Sequence, residues 1–350
     1  MKKIFLCLIL MCLILTGCGK KSEKVVLSEF KDKVMNSDSY YLSGNMELVN
    51  NEDVYTYDVM VSYKKDDYYK IELTNVINDH KQIILRNDEG VYIVTPSLNK
   101  SFKFQSDWPY NNSQVYLLSS LLDDISNDEN RTFESIDDEY VFTSSVNYPN
   151  NEKLVSQKVY FDDDYLPKKV LVLDTEGNTQ IKMEFDKIDL KISFNDTYFD
   201  LNSILNTEEL DKDDETKDNK DNLTQEPNDD SKVKETATLD DIIYPMYLPV
   251  NTYLTNQEKV DTEDGERLIL TFTGDKSFTL MEETVSYSSV AEIIPTYGDV
   301  ELIGNSLAVV NDNSVNWFDG GVEYYVVSDV MSTAELLDVV RSISVLPVSK

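Results

Sequence analysis

The chain has 350 residues and a formal charge of −33, with 65 acidic against 32 basic side chains and one histidine. So acidic a surface repels nucleic-acid phosphates and anionic lipid headgroups, which excludes nucleic acid as a partner. The length suggests about two domains, each able to bury its own core.

The first eighteen residues carry an address. Lys2 and Lys3 precede an apolar run from Ile4 to Leu15, the charged and apolar regions of a secretory signal. The run is too short to span roughly 30 Å of hydrocarbon comfortably. Ending in Leu15-Thr16-Gly17-Cys18, it resembles a bacterial lipoprotein signal. That resemblance implies a signal peptide over residues 1–17, diacylglycerol on Cys18, and a mature chain anchored in the cytoplasmic membrane at its extracytoplasmic face. Cys7 and Cys12 leave with the signal and Cys18 is spent on the lipid, so no disulfide framework remains. Removal of Lys2 and Lys3 takes the charge from −33 to −35.

A short spacer over residues 18–24 leads into a first domain expected over 25–205. Val26, Phe30 and Val34 recur at helical spacing and predict a helix over Val25–Met35. Strand signals follow. Tyr55, Tyr57, Val59, Val61 and Tyr63 alternate with polar neighbours, and Tyr69, Ile71 and Leu73 resume the pattern after Lys64–Asp67. Further strands are expected at Gln82–Leu85, Val91–Val94 and Ser101–Phe104, joined by turns at Asn87–Gly90 and Pro96–Asn99. A second helix is predicted between Asn112 and Leu122, with Val115, Leu118 and Leu122 on one face. Strands return at Tyr140–Val146, Val155–Phe161, Lys168–Leu173 and Gln180–Phe185. Consecutive hairpins on this scale make an antiparallel meander that must curl into a barrel or half-barrel.

Composition breaks once, at residues 206–237, where acidic residues dominate and only Leu210, Leu223 and Val233 are large and apolar. Such a stretch reads as a disordered, charge-extended linker whose ends sit about 30 Å apart, letting two domains move semi-independently. The second domain, 238–350, reads as a small α+β unit. Hairpins are expected around Gly274-Asp275-Lys276 and Asp319-Gly320-Gly321. Ser332-Thr333-Ala334-Glu335 matches a capping box, opening a helix with Leu336, Leu337, Val340 and Ile343 on one face.

Several segments then resemble a known family. Met60–Leu73, Gln82–Pro96, Gln157–Asn178 and the closing Phe194–Phe199 are similar in order and spacing to the LolA-like outer-membrane lipoprotein-sorting family. The resemblance covers most of the first domain. It implies an α+β, mainly antiparallel fold: an unclosed β-barrel with plugging helices around an apolar cavity that accepts acyl chains. The second domain, through Tyr244–Pro249, Trp317–Tyr324 and Glu335–Ile343, resembles a small extracytoplasmic domain that follows such barrels in Gram-positive lipoproteins. The two-domain order is also similar to periplasmic regulators of envelope-stress sigma factors and to lipoproteins of spore formation and germination. Soluble carriers of the sorting family are not themselves lipoproteins. A chain tethered by Cys18 therefore fits a fixed sensor, acceptor or partner-binding role better than a shuttle.

Catalytic and metal residues are not expected. His80, read as a surface residue at the edge of a strand pair, has no second imidazole to join it and no G-x-S-x-G elbow. Paired carboxylates such as Asp123-Asp124, Asp137-Asp138 and Asp162–Asp164 follow from acidic density. Asp261–Glu266 lacks the twelve-residue calcium-loop pattern, and no phosphate-binding glycine loop supports a nucleotide cofactor. The tyrosines are the more informative feature. Tyr57 and Tyr92 fall on strand positions from which rings either line a lipid cavity or fill a core. If the family fold holds, Trp108 and Tyr110 stand where a lid over the barrel mouth would lie, with Val115, Leu118 and Leu122 facing the cavity. The expected occupant is an acyl chain or a lipidated protein. The alternative is a barrel filled by its own side chains, whose outer surface works on an envelope protein partner.

Overall fold

The computed structural model describes residues 21–50, 53–104, 106–136, 139–205, 239, 242–262 and 265–343. The signal with Cys18 and the acidic 206–237 stretch lie outside the described residues.

Helix α1 (Glu23–Met35) opens the fold and buries Val26, Phe30 and Val34, the three residues at helical spacing. A meander follows: β1 (Ser39–Asn50), β2 (Asp53–Lys64), β3 (Tyr68–Asn75), β4 (Lys81–Asn87), β5 (Gly90–Thr95) and β6 (Lys100–Phe104). Helix α2 (Leu118–Asn127) then precedes β7 (Thr132–Ile136), β8 (Glu139–Ser145), β9 (Leu154–Phe161), β10 (Pro167–Asp174) and β11 (Thr179–Asp189). Helix α2 starts later than its spacing suggests. The Gln114 N–H donates to the Ser120 hydroxyl and the Ser113 N–H to the Asn147 carbonyl, so these donors are satisfied outside a helix.

The remaining strands are β12 (Thr252–Asp261), β13 (Glu266–Gly274), β14 (Phe278–Thr284), β15 (Glu292–Thr296), β16 (Asp299–Ile303), β17 (Ser306–Val310), β18 (Ser314–Asp319) and β19 (Val322–Val327). They end in helix α3 (Thr333–Val340), whose Ser332–Glu335 capping box is formed as the sequence predicts. Two sheets result. One has twelve strands in the order β15-β6-β5-β4-β3-β2-β1-β11-β10-β9-β8-β7, and the other seven in the order β12-β13-β14-β19-β18-β17-β16. The larger sheet is antiparallel but for the β15–β6 pair, and its end strands do not meet. This is the α+β, mainly antiparallel, unclosed architecture expected.

Period-two alternation decides what faces inward. Tyr57, Val59 and Val61 on β2, Ile71 and Leu73 on β3, and Val159 and Phe161 on β9 enter one core with Phe30 of α1 and Leu121 and Ile125 of α2. Strands β4 and β5 depart from alternation because both their faces are covered. Ile83, Leu85, Tyr92 and Val94 pack outward against Phe199, Leu201, Ile204 and Leu205. At β1 the chain runs so close to β11 that a Cβ on Gly44 would lie 2.1 Å from the Glu184 carbonyl oxygen, beside a bulge in the pairing. A side chain there is excluded.

The C-terminal strands do not stand off on a tether, as the linker's composition suggests. Val300, Leu307, Val309 and Phe318 belong to the core of the twelve-stranded sheet, and Phe318 stacks on Phe102 with ring centroids 4.9 Å apart. The alternate residues Ala308, Val310, Val315 and Trp317 join a second core under α3. Strands β16 to β18 are therefore shared between two cores, and β17 is buried along its whole length. Phe318→Ala is expected to cost about 3–5 kcal/mol in urea unfolding, since it empties the contact between the sheets. A loss below about 1 kcal/mol would mean that the two cores are not coupled.

The second core also holds a carboxyl. Glu282 on β14 is fully buried; one oxygen accepts from the Ile243 N–H at 3.3 Å and the other has no partner among the described residues. Burial lifts its pKa to about 7, against a smaller opposing effect of the Ile243 bond. Between its ordinary value near 4.5 and about 7, the folded chain keeps a proton that the unfolded chain has released. Glu282 thus favours folding at acidic pH and weakens it as pH rises through that window. Glu282→Gln is expected to match the wild-type thermal midpoint at pH 4 and to exceed it by a few degrees at pH 8. Equal midpoints at both values would show that the carboxyl is hydrated.

Candidate functional site

Where the C-terminal sheet meets the mouth of the larger one, a cavity of about 200 Å³ remains. Its walls come from four places. Met46 and Leu48 of β1 form one side, and Trp108 with Val115 and Tyr116 a second. Leu154 of β9 and Ile181 of β11 form a third, while Val300–Gly304, Leu307 and the end of α3 close the fourth. Lys153, Asp338, Gln180 and Asn112 bring polar groups to the same walls. It is smaller than the roughly 300–1,000 Å³ of pockets that enclose a drug-sized ligand. Two larger depressions, about 470 and 460 Å³, are shallow and lined by surface loops, one at Arg86–Gly90 and the other at Asn78–Lys81.

A polar cluster fixes the cavity wall. Arg341, just after α3, lies 3.0 Å from Glu301 of β16, and both side chains are largely buried. Asn150 joins them: its amide donates to Glu301 at 3.3 Å, and its carbonyl accepts from Arg341 at 3.4 Å. Asn50, the last residue of β1, donates to the Arg341 carbonyl at 3.0 Å. Burial raises the Glu301 pKa and outweighs the pull of the Arg341 guanidinium. Further bonds cross the same junction. The Leu307 N–H donates to the buried Gln82 side chain at 2.6 Å, Asn75 to Asn305 at 3.1 Å, and the Tyr57 hydroxyl to the Gly304 carbonyl. Gly304 makes the β16–β17 turn with φ of 51°, a conformation glycine adopts without penalty.

The residues picked out from sequence scatter around this site. Trp108 and Val115 line the cavity. Leu118 and Leu122 are packed in the core on α2 without reaching the cavity wall, and Tyr57 is buried against the β16–β17 turn. Tyr92 lies on the opposite face of the sheet, packed with Phe199 and Leu205. Tyr110 is half exposed and donates to Asp67 at 2.5 Å. Cys18 lies outside the described residues. His80 is half buried rather than a surface residue; its Nε2 is enclosed without a hydrogen-bond partner among the described residues, and burial lowers its pKa. Sequence reasoning did not find Glu301, Arg341, Asn150 or Gln82. One signal was available for their neighbourhood: the uninterrupted Leu307–Val310 run, which marks a strand covered on both faces. Among the described residues no group of three or more histidine, cysteine or carboxylate side chains could hold a metal, and no helix is long and apolar enough to cross a membrane.

Removing the cation of a buried pair leaves the anion uncompensated. Arg341→Met is expected to lower stability at pH 7.5 by about 3–5 kcal/mol, and the double variant Glu301→Gln/Arg341→Met to recover most of that loss. Equal losses in the single and double variants, read by urea unfolding, would show that the pair is solvated and does not latch the junction.

The family described as "Sporulation protein YdcC-like" matches residues 1–199. Sporulation protein YdcC of Bacillus subtilis (strain 168) is 33% identical over 331 residues, covering 94% of this chain and 93% of that protein. Among solved structures, the Pseudomonas aeruginosa MucA/MucB complex matches at 13% identity, 88% of this chain and 95% of that one, with a TM-score of 0.31. The CwlD amidase of Clostridioides difficile in complex with the GerS lipoprotein matches at 16% identity, 51% and 100% coverage, and a TM-score of 0.30. The LolA superfamily protein NE2245 of Nitrosomonas europaea matches at 12% identity, 51% and 98% coverage, and a TM-score of 0.29.

Proposed function

Because this chain belongs to the YdcC-like sporulation protein family, we propose that it is a lipid-anchored, extracytoplasmic protein-interaction module of spore formation. One observation carries this reading. The inner face of the open sheet, which in a lipid carrier would surround its cargo, is occupied by Val300, Leu307, Val309 and Phe318 of the chain's own C-terminal sheet. The space left is about 200 Å³, and Lys153, Asp338, Glu301 and Arg341 stand among its lining residues, a setting poorly suited to an acyl chain. Its work then falls to outer surfaces, against a protein of the cell envelope.

Anchoring at the outer face of the cytoplasmic membrane rests on Leu15-Thr16-Gly17-Cys18. A non-enzymatic role rests on the lone His80, whose enclosed Nε2 has no hydrogen-bond partner among the described residues. The other reading, an acyl chain or lipidated partner held in the barrel, draws on the Trp108 and Val115 side of the cavity.

Native mass spectrometry of the Cys18→Ala chain, beside a denatured control, separates the two. A bare chain that stays bare with added fatty acid and phospholipid is the expected result. A co-purifying mass of a few hundred daltons that disappears on denaturation would overturn the interaction reading. The same instrument checks the anchor, since the wild-type chain should lack residues 1–17 and carry a diacylglycerol on Cys18.

A further inference from the structure

Strand β15 differs from every other strand in the larger sheet. It reaches the edge of β6 from the C-terminal half of the chain and pairs in parallel, placing Glu292 opposite Lys100, Ile294 opposite Phe102 and Thr296 opposite Phe104. Parallel pairing is slightly weaker per residue than antiparallel. The strand is five residues long, contains Pro295, which has no N–H to donate, and is mostly exposed. Its flanks are exposed too: Val290 is 74% and Tyr297 84% accessible.

Two features hold it in register. The Glu292 carboxylate lies 2.7 Å from the Lys100 ammonium, and Ile294 packs against the barrel core. Backbone bonds run from Ser288 to the Leu98 carbonyl and from Glu292 to the Asn99 carbonyl, while the Asn99 side-chain amide donates to the Ser288 carbonyl at 2.9 Å and the Ser101 hydroxyl to the Glu292 carbonyl at 3.4 Å. The β6 beneath is well covered, with Ser101, Phe102 and Phe104 buried.

We propose that the outer edge of β6 is a peptide-binding site and that β15 is its resident stand-in. The ligand is an extended segment of a partner protein, added in parallel, with an acidic residue two places before a branched aliphatic one. The resident strand defines that chemistry. Lys100 supplies a positive charge in a strongly acidic chain and selects a carboxylate, and the Ile294 position selects an aliphatic side chain. When β15 leaves, an incoming strand restores the same backbone bonds, the same ion pair and the same apolar contact. The exchange therefore replaces interactions without leaving buried polar groups unmet. An open edge is otherwise a hazard for aggregation, and a weakly held resident strand protects it while the site is empty. This inference rests on the protein-interaction reading and gives that reading a surface and a ligand class.

The test uses the full chain in detergent and a fluorescent peptide of residues 290–297, followed by anisotropy. Glu292→Gln/Ile294→Ser removes the resident charge and apolar contact whichever charge stands at position 100, and this chain is expected to bind the peptide at least about tenfold tighter than wild type. A peptide with lysine in place of its glutamate is expected to lose that affinity and to regain it on a chain that also carries Lys100→Glu. Equal peptide affinity for wild-type and weakened chains would overturn the proposal. So would indifference to the charge reversal. Hydrogen exchange on the wild-type chain gives a second reading that no folding defect can confuse. The amides of Glu292, Ile293, Ile294 and Thr296 are expected to exchange at least about tenfold faster than those of β5, and equal protection would overturn the stand-in role. Failure here would leave the barrel result unchanged, and a lipid found in the barrel would leave this edge unaffected.

Discussion

An open sheet of twelve strands has two faces and two ends to cover, and that demand organises the whole molecule. Its inner face is too broad for α1 and α2 alone, so β16 to β18 complete the cover with Val300, Leu307, Val309 and Phe318. Its outer face over β4 and β5 is covered by Phe199, Leu201, Ile204 and Leu205. At one end β15, from the C-terminal half of the chain, lies along β6 as the terminal strand. Apolar area removed from water supplies the driving force in each case, and it acts without regard to direction.

Direction comes from polar bonds at the junction. Gln82 reaches the Leu307 N–H, Asn75 meets Asn305, and Arg341 bridges Glu301 and Asn150. A buried donor or acceptor left unmet costs more than a made bond gains, so these contacts disfavour any slip of the C-terminal sheet across the barrel mouth. The cavity is what remains where the two curved surfaces do not fit perfectly. Its mixture of apolar and charged lining reflects that origin at a junction.

Legibility from sequence varied with how local the physics is. The Val26, Phe30, Val34 spacing gave α1, and the Ser332–Glu335 pattern gave the cap of α3, because both depend on contacts within a turn or two. The alternation from Tyr55 to Tyr63 marked β2 and its inward face. Strands β1, β7, β12, β15, β16 and β17 were not read. β12 is exposed along nearly all its length and β17 is buried along all of it, so neither alternates. The helix expected from Asn112 began six residues later, with the Ser120 hydroxyl and the Asn147 carbonyl taking the N–H groups of Gln114 and Ser113. Tyr57 and Tyr92 looked alike in sequence, yet one faces the barrel core and the other the outer cover.

By itself, then, the sequence determined the signal-like N-terminus, the antiparallel class, most hairpins and the helix faces, since each follows from residues a few positions apart. Only the tertiary structure decided that the C-terminal sheet fills the barrel, that β15 crosses to β6, and that Glu301, Arg341 and Asn150 meet. These contacts join residues 150 or more positions apart in several cases. Such pairings are selected by the complementary shape and polarity of whole surfaces, and neither is written in any local period.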